Sequence, residues 1–302
     1  MFDILEGESL CYQYFIENKI TNRTQLRESL KTNPIKELTK SFIENMFTNY
    51  KQGIKTEVKK IKPLYKIVCF NDAHIPFHDD KVLQMIFELI RKEQPDELVL
   101  NGDIIDCYWE SRFIKDPGSK EFLQHECNTF FKLIAGLRKY IPNTMISYIS
   151  GNHEDRIKLE TWKNPSFYGV SSLELPNLLK FDKLKIEYHP ISKVINNFEF
   201  THGTRVSSHA SYSAKLEFEQ HSCESGMSGH THRMGSYTRT SRKRVATWYE
   251  NGCTCTLDPA YVKGIPNWQQ GFSVIYQYQE ISQVMPIIIN QHKFLFNGVT
   301  YD

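Results

Sequence analysis

Among the 302 residues, no apolar run approaches the ~18–20 needed to span a bilayer as a helix, so a membrane-embedded helix is not expected. Cysteine gives no framework either. The count is 7, odd and scattered, which argues against structural disulfides and fits a reducing compartment. Cys253 and Cys255 stand one residue apart, not at the C-x-x-C spacing of a zinc knuckle or redox motif, and read as strand residues. No charge of one sign dominates. The net charge is +2 and the pI near 8.1, so a nucleic-acid partner must be argued locally and not from the bulk. Met1 to Leu10 carries Asp3, Glu6 and Glu8 without a basic region, which argues against a secretory leader and favours a cytoplasmic protein. Repeats and low-complexity segments are also lacking.

What remains is a globular composition. Apolar residues make up 40% and charged residues 24%, enough for one large domain and a small appendage. Residues 1–62 read as a helical N-terminal segment and linker. The spacing of Leu10, Tyr14 and Phe15 predicts a helix over Glu8 to Glu17. A second is predicted over Thr24 to Leu30, and a third over Pro34 to Tyr50 with Ile35, Leu38, Phe42, Ile43 and Phe47 on one face. Asn22 and Asn33 suit helix boundaries. Three short helices with 11 Lys+Arg against 8 Asp+Glu fit a helix-turn-helix that binds DNA and equally fit a solvated packing appendage.

Residues 63–302 read as one domain. Strands are predicted at Lys66 to Phe70, Glu97 to Leu100 and Thr144 to Ile149, alternating with helices over Asp80 to Lys92 and Ser119 to Arg138. That alternation implies βαβ units and a parallel sheet. From Leu184 the pattern turns to β: Leu184 to His189, Phe198 to Thr201, Arg244 to Tyr249, Gly271 to Gln279, and one last strand within Lys293 to Tyr301.

Five blocks of metal-binding side chains each follow an apolar run: Asp72-Ala73-His74, Asn101-Gly102-Asp103, Gly151-Asn152-His153-Glu154, Thr201-His202-Gly203 and Gly229-His230-Thr231-His232. Taken singly, each has an ordinary explanation as a cap, a turn or a core imidazole. As an ordered set they place carboxylate, amide and imidazole at strand ends, where sites form in α/β sheets. That ligand mixture suits a two-metal site acting on a phosphate ester.

The ordered set D-x-H, G-D, G-N-H-[DE], H-G, G-H-T-H resembles the calcineurin-like metallophosphoesterase superfamily over roughly residues 64–280. The resemblance implies a four-layer α/β/β/α sandwich. It implies one metal held by Asp72, His74 and His232, another by Asn152, His202 and His230, and Asp103 between them. His153 would be the catalytic histidine, and Asp106 would orient a ligand from behind. The implied cofactors are two divalent cations, Mn²⁺ first, with Fe, Zn²⁺ and Ni²⁺ also suited. The implied reaction is phosphoester hydrolysis by a metal-bridging hydroxide.

The substrate is less constrained. Phosphoprotein phosphatases of this superfamily read G-D-x-x-D-R-G, whereas here Asp106 is followed by Cys107-Tyr108. The chain is also similar to metallophosphoesterases of bacteriophages that carry a small N-terminal helical segment, notably in the run Pro266-Asn267-Trp268-Gln269-Gln270-Gly271-Phe272. Arg233, Arg239, Arg242, Lys243 and Arg244 form a run without an acid that directly follows two metal-ligand candidates, and Tyr237, Trp248 and Tyr249 lie near it in sequence. A basic hairpin with aromatic residues for base stacking is expected to attract a polyanion. Arg156, Arg205 and Arg233 are candidate substrate-binding residues. The first expectation is therefore a phosphodiesterase or nuclease. The alternatives are a phosphomonoesterase acting on nucleotides or nucleic-acid ends, and a DNA-binding module with a vestigial phosphoesterase domain. The segment before Gly229, Ser222 to Ser228, is polar where the superfamily has an apolar strand, so a short or irregular strand is expected there.

Overall fold

The structure is a computed structural model. It describes residues 10–11, 13–15, 17–20, 22–32, 40–51, 64–112, 115, 118–119, 122–222, 224–258 and 266–302. The chain divides into two compact units, Met1–Pro63 and Leu64–Asp302.

The first unit holds α1 (Arg23–Thr32) and α2 (Lys40–Lys51), preceded by helical residues within 10–17. Asn22 Oδ1 accepts a hydrogen bond from Gln25 N at 2.9 Å, which caps the start of α1. Phe15 meets Phe47 edge to face with centroids 5.5 Å apart, and Ile20, Leu26, Ile43 and Met46 close a small core around them. The predicted third helix is present from Lys40. Its expected start at Pro34, the boundary at Asn33 and the turn that a helix-turn-helix needs lie outside the described residues.

The second unit runs β1 (Tyr65–Phe70), α3 (Asp80–Glu93), β2 (Glu97–Asn101), α4 (Leu123–Arg138), β3 (Met145–Ile149), α5 (Asp155–Lys163), α6 (Leu175–Leu178), α7 (Phe181–Leu184), β4 (Ile186–His189), β5 (Ser192–Ile195), β6 (Phe198–Thr201), α8 (Tyr212–Gln220), β7 (Ser225–Ser228), β8 (Met234–Thr240), β9 (Val245–Asn251), β10 (Gly271–Tyr278), β11 (Ile281–Ile288), β12 (Phe294–Phe296) and β13 (Val299–Tyr301). Helix α3 starts where the Asp79 carboxylate accepts from the backbone of Lys81 and Val82, and it buries Val82, Leu83, Ile86, Leu89 and Ile90. β7 is four residues long, the short strand that its polar sequence announces.

Two large sheets result, in the orders β11-β10-β1-β2-β3-β4 and β5-β6-β7-β9-β8, beside a two-stranded one of β12 and β13. β1 to β4 run parallel, as do β6, β7 and β9. Ile67, Cys69, Val99, Ile149 and Ile275 of one sheet meet Phe198, Phe200 and Met227 of the other in a shared core. Helices α3 and α4 cover the outer face of the first sheet with Leu89, Ile90, Phe130 and Ile134. Helix α8 covers the second with Ala214 and Phe218 against Ala246 and Trp248. This is the expected four-layer α/β/β/α sandwich.

The C-terminal expectation needs correction. In place of one strand, β12 and β13 pair as a hairpin in which Phe296 faces Val299. Asn297 and Gly298 between them both have positive φ, 49° and 75°, the signature of a two-residue type I′ turn. No helix among the described residues is long and apolar enough to cross a membrane.

Candidate metal centre

All five blocks lie just past the C-terminal ends of parallel strands: Asp72 and His74 after β1, Asp103 after β2, Asn152 and His153 after β3, His202 after β6, His230 and His232 after β7. The backbone there is unusual. Asp72, His74, Asp103, His230 and His232 all have φ between 48° and 69°, a region that bulky L-residues seldom occupy. Such strain persists only where the surroundings enforce it, and it concentrates at functional sites. The crossings are tight. A Cβ on Gly102, itself at φ 83°, would lie 2.5 Å from His202 Nδ1, and one on Gly151 would collide with the Asp103 carboxylate.

The donor atoms fall into two sets. Asp72, His74 and His232 bring ligand atoms within 4.8 Å of one another, and so do Asp103, His202 and His230. Asn152 lines the same cavity. The tautomers of two imidazoles follow from their partners. His202 Nδ1 donates to the Asn101 carbonyl at 3.1 Å, and His74 Nδ1 donates to Asp106 Oδ1 at 2.9 Å. Both Nε2 atoms are therefore left as acceptors when the ring is neutral.

Those acceptors face other acceptors. His74 Nε2 stands 3.0 Å from His232 Nε2, and His202 Nε2 stands 3.0 Å from Asp103 Oδ2. Asp72 Oδ1 has His232 Nε2 at 3.1 Å, yet Asp72 Oδ1 and His202 Nε2 are buried without a hydrogen bond. Lone pairs that converge this closely repel unless a proton or a cation lies among them. The residues present fit two divalent cations.

The charges agree. Burial alone would raise the Asp103 carboxyl, but His202 and His153 hold it well below the usual range. Burial alone would lower His202, but Asp103 and Asp72 lift it to about 10. Burial and its neighbour His202 push His230 down, which favours a neutral, ligand-ready imidazole. The field that holds protons on His202 is the field that draws in a dication.

His153 is half-buried at the cavity. Its Nδ1 lies 3.0 Å from Asp106 Oδ1, its Nε2 lies 2.7 Å from an Arg156 Nη, and its backbone N donates to Asp103 Oδ1 at 2.9 Å. Asp106 thus contacts both His74 and His153. Of the three candidate arginines, only Arg156 lines the cavity of about 660 Å³, together with Lys115, Tyr108 and Trp268. Arg205 points its Nε to Gln220 Oε1 at 2.6 Å on the surface. Arg233 is buried and donates to the Ser207 carbonyl and to Ser213 Oγ. The structure brings neither of these to the cavity.

The basic run also differs from expectation. Its tip, between β8 and β9, lies a full strand from His232, roughly 20 Å at the rise of a β-strand. Trp248 is fully buried and stacks on His221, while Tyr237 packs against Phe218. These aromatics form the core under α8, so they are not a base-stacking surface. Arg239, Lys243 and Arg244 do line one cavity of about 650 Å³ at the tip, where Arg244 pairs with Glu224.

Several residues that position the centre were not picked out from the sequence. Glu154 accepts backbone hydrogen bonds from Asp103, Ile104, Ile105 and Gly151. The only hint of it is the acidic position that ends G-N-H-[DE]. Glu126, from α4, accepts from Cys107 N and from Tyr108 N, at 2.6 and 3.0 Å. Cys255, read as an ordinary strand residue, makes an isolated bridge with His78 and sets its Sγ 4.0 Å from His232 Nδ1. A metal-binding imidazole usually donates from its second nitrogen to an oxygen; here a thiol takes that place. Cys255→Ala is expected to weaken metal retention about tenfold, and Cys255→Ser to recover part of it. Competition with a chromophoric chelator measures both, and an affinity unchanged in Cys255→Ala would show the thiol to be mere packing.

Residues 65–234 match the model of the family described as calcineurin-like phosphoesterase. The "Gene 54 protein" of Mycobacterium phage L5 is 31% identical over 232 residues, covering 70% of this chain and 88% of the phage protein. The "Gene 54 protein" of Mycobacterium phage D29 matches at the same identity and coverage, 31% over 232 residues. Among solved structures, a Vps29 single mutant from Entamoeba histolytica aligns at a TM-score of 0.41 and 10% identity, covering 78% of this chain and 99% of that one.

Proposed function

We propose that this chain, which belongs to the calcineurin-like phosphoesterase family and is a hydrolase acting on phosphoester bonds, works as a dinuclear metal-dependent phosphodiesterase on nucleic acid or nucleotides. One observation carries the metal dependence: side-chain donor atoms from four strand ends crowd together, His74 Nε2 against His232 Nε2 and His202 Nε2 against Asp103 Oδ2, with Asp72 Oδ1 and His202 Nε2 buried without a hydrogen bond. Asp72, His74 and His232 would hold one cation, Asn152, His202 and His230 the other, and Asp103 would touch both. When bound, such a pair supplies Lewis-acid polarisation of a phosphoryl group and a nucleophile from water at neutral pH.

The chain's own residues do the rest. Arg156 and Lys115 bring positive charge to the cavity wall, where they bind non-bridging phosphate oxygens. His153, oriented by Asp106, is placed to hold or deliver a proton at Nε2 toward a leaving oxygen, once Arg156 turns from it to the phosphate. The basic cavity at the tip of β8 and β9 supports a polyanionic substrate. The same two cationic side chains at the centre favour, as a second reading, a dianionic terminal phosphate and hence phosphomonoester hydrolysis. The vestigial-domain reading loses ground, since all seven proposed ligands are present in sequence and gathered at one edge. Cys69, Cys107, Cys127, Cys253 and Cys255 are buried thiols outside any disulfide, which suits action in a reducing compartment such as a cytoplasm.

The test is hydrolysis of bis-p-nitrophenyl phosphate, p-nitrophenyl phosphate, DNA and RNA by protein stripped with a chelator and then given Mn²⁺. Diester and nucleic-acid cleavage is expected to vanish on stripping, to return with Mn²⁺, and to fall about 10²–10⁴-fold in His153→Ala. Turnover of the monoester alone would replace the first reading with the second.

A further inference from the structure

Two aromatic side chains, Trp268 and Tyr108, line the cavity beside the metal centre. Trp268 is partly exposed, lies edge to face with His232 at a centroid distance of 4.4 Å, and belongs to none of the buried apolar clusters among the described residues. Tyr108 lines the same cavity. Its ring sits edge to face with Phe77 at 5.4 Å, and its backbone is fixed by the buried Glu126 carboxylate. Lys115 and Arg156 complete the wall. These partly exposed indole and phenol rings line the same cavity as the proposed metal ligands His74, Asp103, His230 and His232. The chemistry that satisfies both features is a planar heteroaromatic ring joined through a short spacer to a phosphate.

We infer that Trp268, assisted by Tyr108, is a stacking platform for the base of a nucleotide unit whose phosphate occupies the metal centre. Trp268 is a specificity-determining residue in this account. It acts on substrate binding, and its contact with the proposed ligand His232 is edge to face. The inference rests on the phosphodiesterase reading and narrows it to nucleotide diesters. It also moves base recognition away from Tyr237, Trp248 and Tyr249, which are turned into the protein.

The experiment compares two diesters with one leaving group, the p-nitrophenyl ester of thymidine monophosphate and its abasic deoxyribose analogue, on the Mn²⁺-loaded full chain. The wild type is expected to favour the nucleoside ester in kcat/KM by about tenfold or more, the usual worth of one base–aromatic stack. Trp268→Ala is expected to raise KM for the nucleoside ester to that of the abasic one. The abasic ester should lose less than the nucleoside ester in Trp268→Ala, so that the ratio of their kcat/KM values falls toward one. Trp268→Phe should keep most of the preference. Equal use of both esters by the wild type overturns the inference while leaving the phosphodiesterase reading intact. So does an equal loss on both in Trp268→Ala, since that marks support of His232 and not base binding. Hydrolysis of neither ester overturns the phosphodiesterase reading and this inference with it.

Discussion

Asp103→Asn is expected to lose on the order of 10³-fold or more in kcat and to bind at most one of the two cations. The carboxylate belongs to the donor set of His202 and His230 and also touches His153, and the proposed reading has it shared by both cations. Oδ2 lies 3.0 Å from His202 Nε2 and 3.7 Å from His153 Nε2, and Oδ1 accepts from the backbone of His153 at 2.9 Å. An amide keeps the shape and one acceptor oxygen but removes the charge that a shared position between two dications requires. Asparagine is the informative replacement because residue 103 has φ 50°, which asparagine tolerates and alanine does not. Loss of activity with an unchanged circular dichroism spectrum and halved metal content by elemental analysis is the expected pair of results. Retention of more than half the wild-type rate with two metals bound would place the shared ligand elsewhere.

This site shows where sequence reading succeeds and where it stops. The parallel strands were legible because Val68, Leu98, Val99, Leu100 and Ile146 sit in near-continuous apolar runs, as strands buried on both faces must. The convergence of the five blocks was legible because a strand end fixes their position, so order along the chain maps onto proximity in space. What could not be read depends on contacts across the fold. Cys255 meets His232 from 23 residues away, and nothing in Asn251-Gly252-Cys253-Thr254-Cys255 points to that partner. Trp248 has the composition of a base-stacking residue, but its β9 position pairs it with Gly226 of β7 and turns it under α8. Arg233 follows a metal-ligand candidate directly, yet its guanidinium turns back to Ser207 and Ser213, a direction that sequence adjacency to His232, whose backbone is left-handed at φ 57°, does not reveal. The Asn297-Gly298 turn, by contrast, was there to be read.

Glu154→Ala is expected to be the most destabilising single change in the second unit. Glu154 is 2% exposed, and its carboxylate is a clasp between two loops. Oε2 accepts from Gly151 N at 2.8 Å and Asp103 N at 3.0 Å; Oε1 accepts from Ile104 N at 2.8 Å, Ile105 N at 3.2 Å and Tyr148 OH at 2.6 Å. Burial raises the pKa of this carboxyl, and the nearby Asp103 raises it further; these donors and the charge of His202 work the other way and favour the ionised form. Removing it strands four backbone N–H groups and a phenol in the interior. At about 1–3 kcal/mol for each unsatisfied buried donor, and allowing for relaxation and entry of water, a loss of about 4 kcal/mol or more follows. Glu154→Gln supplies one acceptor oxygen but turns an NH₂ toward N–H groups, so about 2 kcal/mol is expected. Denaturant midpoints measure both, and a loss under about 1 kcal/mol in the alanine variant would show that the loops hold themselves. A second consequence separates a clasp from a simple core residue. The loop it grips carries Asp103 at positive φ, and releasing that loop lets Asp103 relax toward ordinary backbone. Metal affinity should therefore fall in Glu154→Gln even where the protein remains folded, since the donor set is assembled only while the strained turn is held.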